Sequence, residues 1–222
     1  MIDVSSEALY DYGGTMAENL LCQRKYPWEI LPLIGAYVTE LAASLTGEEW
    51  THPAPDVAVS VTARVADTAE IHGPAVIGAR TEVRPGAYIR GNVLVGEDCV
   101  IGNSTELKNC VILNHAALPH YTYVGDSVVG NHAHMGAGAI ASNLKIGGSH
   151  VVIRDRCGIS YDSGLRKVGA MLGDGADIGC QCVLNPGTVI GRRTAVYPLT
   201  SFRGIAPSDC IVKSAGEIVP RV

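Results

Sequence analysis

From Val59 onward, branched aliphatic residues recur at intervals of six: Val59, Val65, Ile71, Ile77, Val83, Ile89, Val95, Ile101, Leu107 and Leu113. Four residues after each comes a small one, from Ala63, Ala69 and Ala75 through to Val111 and Ala117. An amphipathic helix repeats near about 3.6 residues and a half-buried strand near about 2. A sustained period of six fits neither and predicts a parallel β-solenoid in which hexapeptides wind and stack. The pattern returns at Leu172, Ile178, Leu184, Ile190, Val196 and Phe202. Between the two blocks the frame slips: Val124 and Val129 each arrive one residue early after Pro119, and residues 143–167 lose the period, as a loop excursion would.

Residues 1–56 have a different texture. Leu31, Leu33, Ile34, Tyr37, Val38, Leu41 and Leu45 follow helical spacing, with Pro32 suited to a first turn, and Met16 to Cys22 is a second short apolar cluster. These stripes are expected to pack on the solenoid or on a neighbouring subunit. The segment THPAPD, 51–56, reads as a linker. The expected organisation is therefore an N-terminal helical segment with linker (1–56), a solenoid (57–215) and a short C-terminal tail (216–222).

Composition narrows the functional classes. Of 222 residues, 47% are hydrophobic but only 5% aromatic, and 26 are glycine, which suits a core of small and branched side chains. A net charge of -5 argues against a sequence-independent nucleic-acid binder, which needs a basic face. No signal-peptide pattern opens the chain and no apolar run approaches about 18 residues, so a soluble, cytoplasmic protein is expected. Seven cysteines without a secretion signal do not form a disulfide framework. Cys99 and Cys182 fall on the small, inward positions of the repeat.

In the hexapeptide-repeat transferases that this period resembles, three hexapeptides make one coil, which would stack residues 18 apart at about 4.8 Å. His72, Arg90 and Lys108 then form one outward column, and Arg84, Gly102 and His120 another. Stacked cations are unfavourable unless an anion sits among them, so the first column is either a phosphate site or a solvated basic ridge.

The hexapeptide pattern resembles the left-handed parallel β-helix of the hexapeptide-repeat transferases. That resemblance makes the expected fold an all-β solenoid of this hand with a short N-terminal helical segment. Residues 106–143 resemble, more specifically, the acetyltransferase domain of the bifunctional sugar-1-phosphate nucleotidylyltransferases, the N-acetylglucosamine-1-phosphate uridyltransferase family. The match extends over about residues 70–215. Its distinctive part is PH-x-x-Y-V-G-D-S at 119–127, with GAG at 136–138 and Asn143 downstream. The resemblance implies an acetyl-CoA-dependent acyltransferase acting on a sugar phosphate or nucleotide sugar, assembled as a homotrimer with its site between subunits.

In that family the histidine matching His120 is the general base for the attacking amine, and an imidazole is largely neutral at pH 7. The backbone N–H of Ala137 would stabilise the oxyanion, Tyr123 and Lys108 would meet the substrate, and Arg84 and Arg90 compete for its phosphate. Asn143 matches an asparagine of the acyl-CoA and sugar site. Arg192, Arg193 and Lys213 are candidates for the coenzyme A phosphates, and Mg2+ would accompany a phosphorylated acceptor. His134 stands where the family has an asparagine at the acceptor amine, and Leu144 where it has a tyrosine, departures that imply either a different acceptor or lost activity. No glycine-rich nucleotidyltransferase loop is present, and sugar-nucleotide synthesis is not expected. Two rival readings remain: a non-catalytic trimerisation or docking solenoid, and a zinc-dependent carbonic-anhydrase-like site built on His115 and His120.

Overall fold

The computed structural model describes residues 2–221. The chain winds as a left-handed parallel β-solenoid of about 9 turns, with short helices near its N-terminus. Each coil contributes three short strands, and the strands stack into three flat faces. Face I carries Val57–Ser60, Ala75–Ile77 and Val93–Val95 in parallel register, continuing to Ala170–Leu172 and Thr188–Ile190. Face II runs from Arg64–Val65 and Glu82–Val83 through Val100–Asn103 and Ala117–His120 to His134–Met135 and Asp177–Ile178. Face III runs from Glu70–His72 and Tyr88–Arg90 to Ile140–Ala141, Val183–Leu184 and Ser201–Phe202. The repeated aliphatics point inward, with Ile112 in place of Leu113 and Val65 part-exposed in the first coil, so Ile101, Leu107, Leu118 and Ile178 join one buried core with Cys99 and Cys182. Threonines at the small positions are buried as well, and their hydroxyls satisfy the next coil: Thr81 Oγ1 donates to the Gly96 carbonyl (2.7 Å) and Thr105 Oγ1 to that of Leu118 (2.9 Å).

The period of six is corrected at two places. Val95 stacks on Ile112 rather than Leu113, and Leu107 stacks on Val124, so these coils hold 17 residues instead of 18. Both losses occur where face III turns into face I. There Glu106–Ile112 and Tyr123–Val129 run through the corner as single strands, turning on Asn109 (φ 49°) and Asp126 (φ 48°). Earlier in the chain the same corner uses two left-handed residues, Gly91 and Asn92. One left-handed residue in place of two removes one residue per coil. Asn and Asp bear this backbone because their short polar side chains can bond locally.

Face I differs from the other two in its outward side. Ala58, Val76, Leu94, Val111, Val128, Met171, Val189 and Ile205 form an unbroken apolar ladder across its rungs, and all are buried. The N-terminal segment covers it. Glu18–Leu21, the 3-10 turn Pro27–Leu33 and the helix Ile34–Ser44 place Leu20, Leu21, Trp28, Ile30, Ile34 and Val38 against this ladder. Pro32 lies in the 3-10 turn that leads into the main helix. Residues 143–167 leave the stack, pinned at their base by the Leu144–Lys167 bridge, and form the hairpin Val152–Arg154 with Ser160–Asp162. Tyr161 of this hairpin packs against Tyr26 and Trp28, at 5.2 and 5.7 Å between ring centres. At each end of the solenoid an antiparallel strand adds one further rung to a single face. Trp50–Ala54, read above as linker, pairs with Val57–Ser60, and Glu217–Pro220 of the expected tail pairs with Cys210–Ser214. Pro53 and Pro220 are tolerated there because each strand is an outer one, with no further partner to satisfy.

Candidate active site

His120 ends the face II strand Ala117–His120, at the exposed corner where the chain turns into face III. Its column is corrected by one residue. Because the coil below holds 17 residues, His120 stacks on Asn103, and Pro119 takes the place over Gly102. A Cβ at Gly102 would collide with the Pro119 carbonyl, so glycine is required at that rung. Arg84 therefore does not share a column with His120. One rung above His120 lies Ala137: Gly138 N–H, with φ 70°, donates to the His120 carbonyl at 3.1 Å. The Ala137 carbonyl accepts from Gln181, while its N–H has no partner among the described residues. The GAG segment thus presents an unengaged amide one rung from the His120 imidazole. The close approach of Cys180 N, 2.7 Å from where a Cβ on Gly136 would stand, explains the first glycine.

Around the corner, face III carries Arg90, Lys108 and Tyr123. His72 stacks on Arg90, and Ile89 stacks on Leu107, so Lys108 continues that column as expected. The anion that the stack requires is supplied by the protein itself. Glu70 pairs with His72 at 2.6 Å, Glu106 with Arg90, and Asp126 with Lys108 at 3.5 Å. Hydrogen bonding to Glu106 pushes the Arg90 guanidinium pKa up. Asp126 is buried and organises this region: Asn109 Nδ2 donates to it at 2.8 Å, and Asn143 Nδ2 donates to its second oxygen. Asn143 Nδ2 also reaches the Tyr123 hydroxyl at 3.2 Å. Burial, then the Asp126 charge, push the Tyr123 phenol pKa up, so the hydroxyl remains a hydrogen-bond donor at neutral pH. Gly125 is needed beneath this cluster, because a Cβ there would lie 2.7 Å from Asn143 Nδ2.

The structure brings Lys108, Tyr123 and Asn143 together, with Arg90 on the adjoining rung, and sets His120 and Ala137 across the corner from them. It holds the remaining candidates elsewhere. Arg84 lies on face II beside Glu82 (3.2 Å). His134, also on face II, bonds through Nδ1 to Asp177 at 2.9 Å. Arg192 grips the N-terminal segment, donating to the carbonyls of Ala8 and Glu7, and lies 3.7 Å from Asp174. Arg193 is held by Asp209 and Lys213 by Glu217. These last three neither converge nor point free charge at a common site. The carboxylates nearest the cluster, Glu106 and Asp126, are already taken by cations and amides, a set that does not fit Mg2+. His115 and His132 stack with rings parallel, 2° between planes and 4.5 Å between centres, so their nitrogens do not converge. Among the described residues no group of three or more His, Cys, Asp or Glu is placed to hold a metal ion.

Asp126 and Glu106 were not among the residues singled out by motif or period. The sequence does carry a signal for the first. Asn92, Asn109, Asp126 and Asn143 lie 17 apart, and this interval, not 18, is the local length of the coil.

A family model described as the GMPPB C-terminal domain matches residues 71–163, less than half of the chain. No curated protein matches the chain. Among solved structures, the chain is similar to the acetyltransferase domain of PglB from Neisseria gonorrhoeae FA1090 in complex with acetyl coenzyme A, at 14% identity over 82% of this chain and 62% of that one, with a TM-score of 0.38. It thus spans less than two thirds of that chain. It is also similar to a hexapeptide transferase family protein from Anaplasma phagocytophilum, at 20% identity over 70% of this chain and 73% of that one, TM-score 0.39. A third likeness is to a mutant of AntD, an N-acyltransferase from Bacillus cereus, in complex with dTDP and coenzyme A, at 17% identity over 70% of this chain and 75% of that one, TM-score 0.35.

Proposed function

We propose that this chain is an acyltransferase that moves an acyl group, acetyl in the simplest case, from a coenzyme A thioester to the amine of an amino sugar bearing a phosphate or nucleotide. The observation that carries the reading is the juxtaposition of His120 and Ala137 on adjacent rungs of one exposed corner, next to the Tyr123 cluster. The His120 imidazole accepts the proton of the amine as its nitrogen attacks the thioester carbonyl. The unengaged Ala137 N–H, fixed by the corner, receives the developing oxyanion at little reorganisation cost. Collapse of the tetrahedral intermediate breaks the carbon–sulfur bond and releases the coenzyme thiol. Tyr123 and Lys108 hold the sugar end, and Arg90 lies beside them to meet the phosphate when Glu106 yields it. A homotrimer would bring faces II and III of neighbouring copies against this corner, and a sedimentation measurement tests that assembly.

The test is acyl-CoA consumption, followed by thiol release, across amino-sugar phosphates and nucleotide-linked amino sugars. His120→Ala is expected to lower the rate by about 10²–10⁴-fold with the fold intact. Equal rates for wild type and variant would defeat the general-base role.

The non-catalytic docking solenoid is favoured by one specific observation. The cations of the face III column are compensated by the protein's own carboxylates. It predicts that no acyl-CoA is consumed with any acceptor and that His120→Ala changes nothing.

A further inference from the structure

The excursion and face III enclose a cleft that adjoins the Tyr123 cluster, since Ser142 and Leu144 on either side of Asn143 line it. It has a volume of about 410 Å³ and is lined by Ser142, Leu144, Lys145, Asn185, Pro186 and Arg203, with Ile146 at its rim. Ala141 stacks on Leu184 and Leu184 on Phe202, so Ser142, Asn185 and Arg203 continue one outward column over three rungs. The electrostatics here are the reverse of those lower on the face. Arg90 and Lys108 are each matched by a carboxylate, whereas Arg203 has no hydrogen bond or ion pair among the described residues, and no carboxylate lines the cleft. Lys145 Nζ is positioned by the His150 carbonyl at 2.8 Å, an acceptor that leaves its charge uncompensated. The surrounding segment is basic as well: residues 143–167 hold five Lys or Arg and two Asp, in a chain of net charge -5. Leu144 and Ile146 expose apolar surface beside these cations, at 47% and 106%. An uncompensated cation on each side of the cleft, Lys145 from the excursion and Arg203 from face III, with apolar surface from Leu144, Ile146 and Pro186 beside them, matches an organic anion rather than a bare ion.

We propose that this cleft binds an organic phosphate, with the phosphate or diphosphate on Arg203 and Lys145 and the carbon body against Leu144, Ile146 and Pro186. The planar fork of Arg203 suits bidentate contact with phosphate oxygens, and Lys145 adds a point charge. The Asn185 side-chain N–H groups are already used on Ser201 Oγ and the Phe202 carbonyl, which leaves its amide oxygen to accept from a sugar or base.

Calorimetric titration of the full chain with pyrophosphate, UDP and coenzyme A tests the site and separates its possible sources. At least one probe should bind, more weakly as salt shortens the Debye length from about 10 Å at 0.1 M to about 3 Å at 1 M. Arg203→Gln and Lys145→Gln should each weaken that binding about tenfold or more. Both positions are on the surface, so circular dichroism and thermal melting should match wild type. A preference for UDP identifies a nucleotide-linked ligand, a preference for coenzyme A the acyl donor, and equal binding a site for the phosphate alone. Failure of all three to bind wild type, or unchanged binding in both variants, overturns the proposal. Binding lost instead in Arg90→Gln and Lys108→Gln also overturns it and places the anion at the Tyr123 cluster. Because the readout is binding, a protein that binds through Arg203 but consumes no acyl-CoA would keep this site and lose the acyltransfer reading.

Discussion

Asp126 shows how one side chain holds a corner of the coil. It adopts φ 48°, accepts hydrogen bonds from Asn109 and Asn143, and balances Lys108 while buried to 7% side-chain exposure. A buried carboxylate is stable only when its oxygens are occupied, and removing it takes one acceptor from each of two amides and the counter-charge from Lys108. Asp126→Ala should therefore destabilise the fold by about 3 kcal/mol, part of it from placing a Cβ-only residue in the left-handed region. Asp126→Asn keeps the turn and one acceptor and should cost about half as much. Urea midpoints measure both, and an alanine variant as stable as wild type would dismiss the role. Asn143 was legible in the sequence through its place after GAG, whereas Asp126 was not. Motif reading records Asp126 only as part of VGDS, and its partners come from coils above and below, at an interval that the period of six does not contain. Arg90 and Lys108 were legible as a column, but their carboxylates were not, since Glu106 sits on a neighbouring position of the same face and Asp126 around the corner.

At the scale of elements, the hydrophobic period specified the solenoid because inward residues repeat without regard to what lies outside. The N-terminal helices were legible for the same reason, from the spacing of Ile34, Val38 and Leu41. Which face they cover was also written in the chain, in the apolar residues between the inward positions of face I, such as Val76, Leu94 and Val111. Slips at Asn109 and Asp126 were harder to place, because Leu113 and Ile112 are both apolar and both buried, one outward and one inward. The end strands Trp50–Ala54 and Glu217–Pro220 were hidden by proline, which marks loops in general but is allowed in an outermost strand. The cover depends on Trp28, 2% exposed, which joins the N-terminal segment to Tyr161 of the excursion hairpin. Trp28→Ala should lower stability by about 3–5 kcal/mol. Hydrogen exchange should quicken first in Ser160–Asp162 and in the Pro27–Leu33 turn, while Ile101, Leu118 and Ile178 stay protected. Uniform loss of protection along the whole solenoid would show instead that cover and coil unfold as one unit.

For the molecule as a whole, two faces stay open while the third is sealed by the chain's own N-terminus, and among the described residues no helix is long and apolar enough to cross a membrane. This layout buries ionisable groups inside the coil and beneath the cover. Burial pushes the Cys99 thiol pKa up to about 12, and it raises those of Cys110, Cys182 and, under the cover, the Tyr10 phenol. Unfolded thiols ionise near the ordinary value of 9.0 and the phenol near 10.0. Below pH 9 both states hold these protons, and the groups leave stability unchanged. Above it the unfolded chain gives them up while the folded chain retains them, so the unfolded state is favoured by about 1.4 kcal/mol per pH unit for each group until its folded pKa is reached. Stability should therefore be level from neutral pH to about 8.5 and fall steeply between pH 9 and 11, in a window set by these raised values. The slope should lessen in Cys99→Ala combined with Cys110→Ala, because two of the groups are gone and alanine already occupies many of the small positions of the repeat. Denaturant midpoints across pH 7–11 decide the matter. A wild type that holds its midpoint to pH 11, or a double variant that declines as steeply, would mean that the core opens to water before the thiols must ionise.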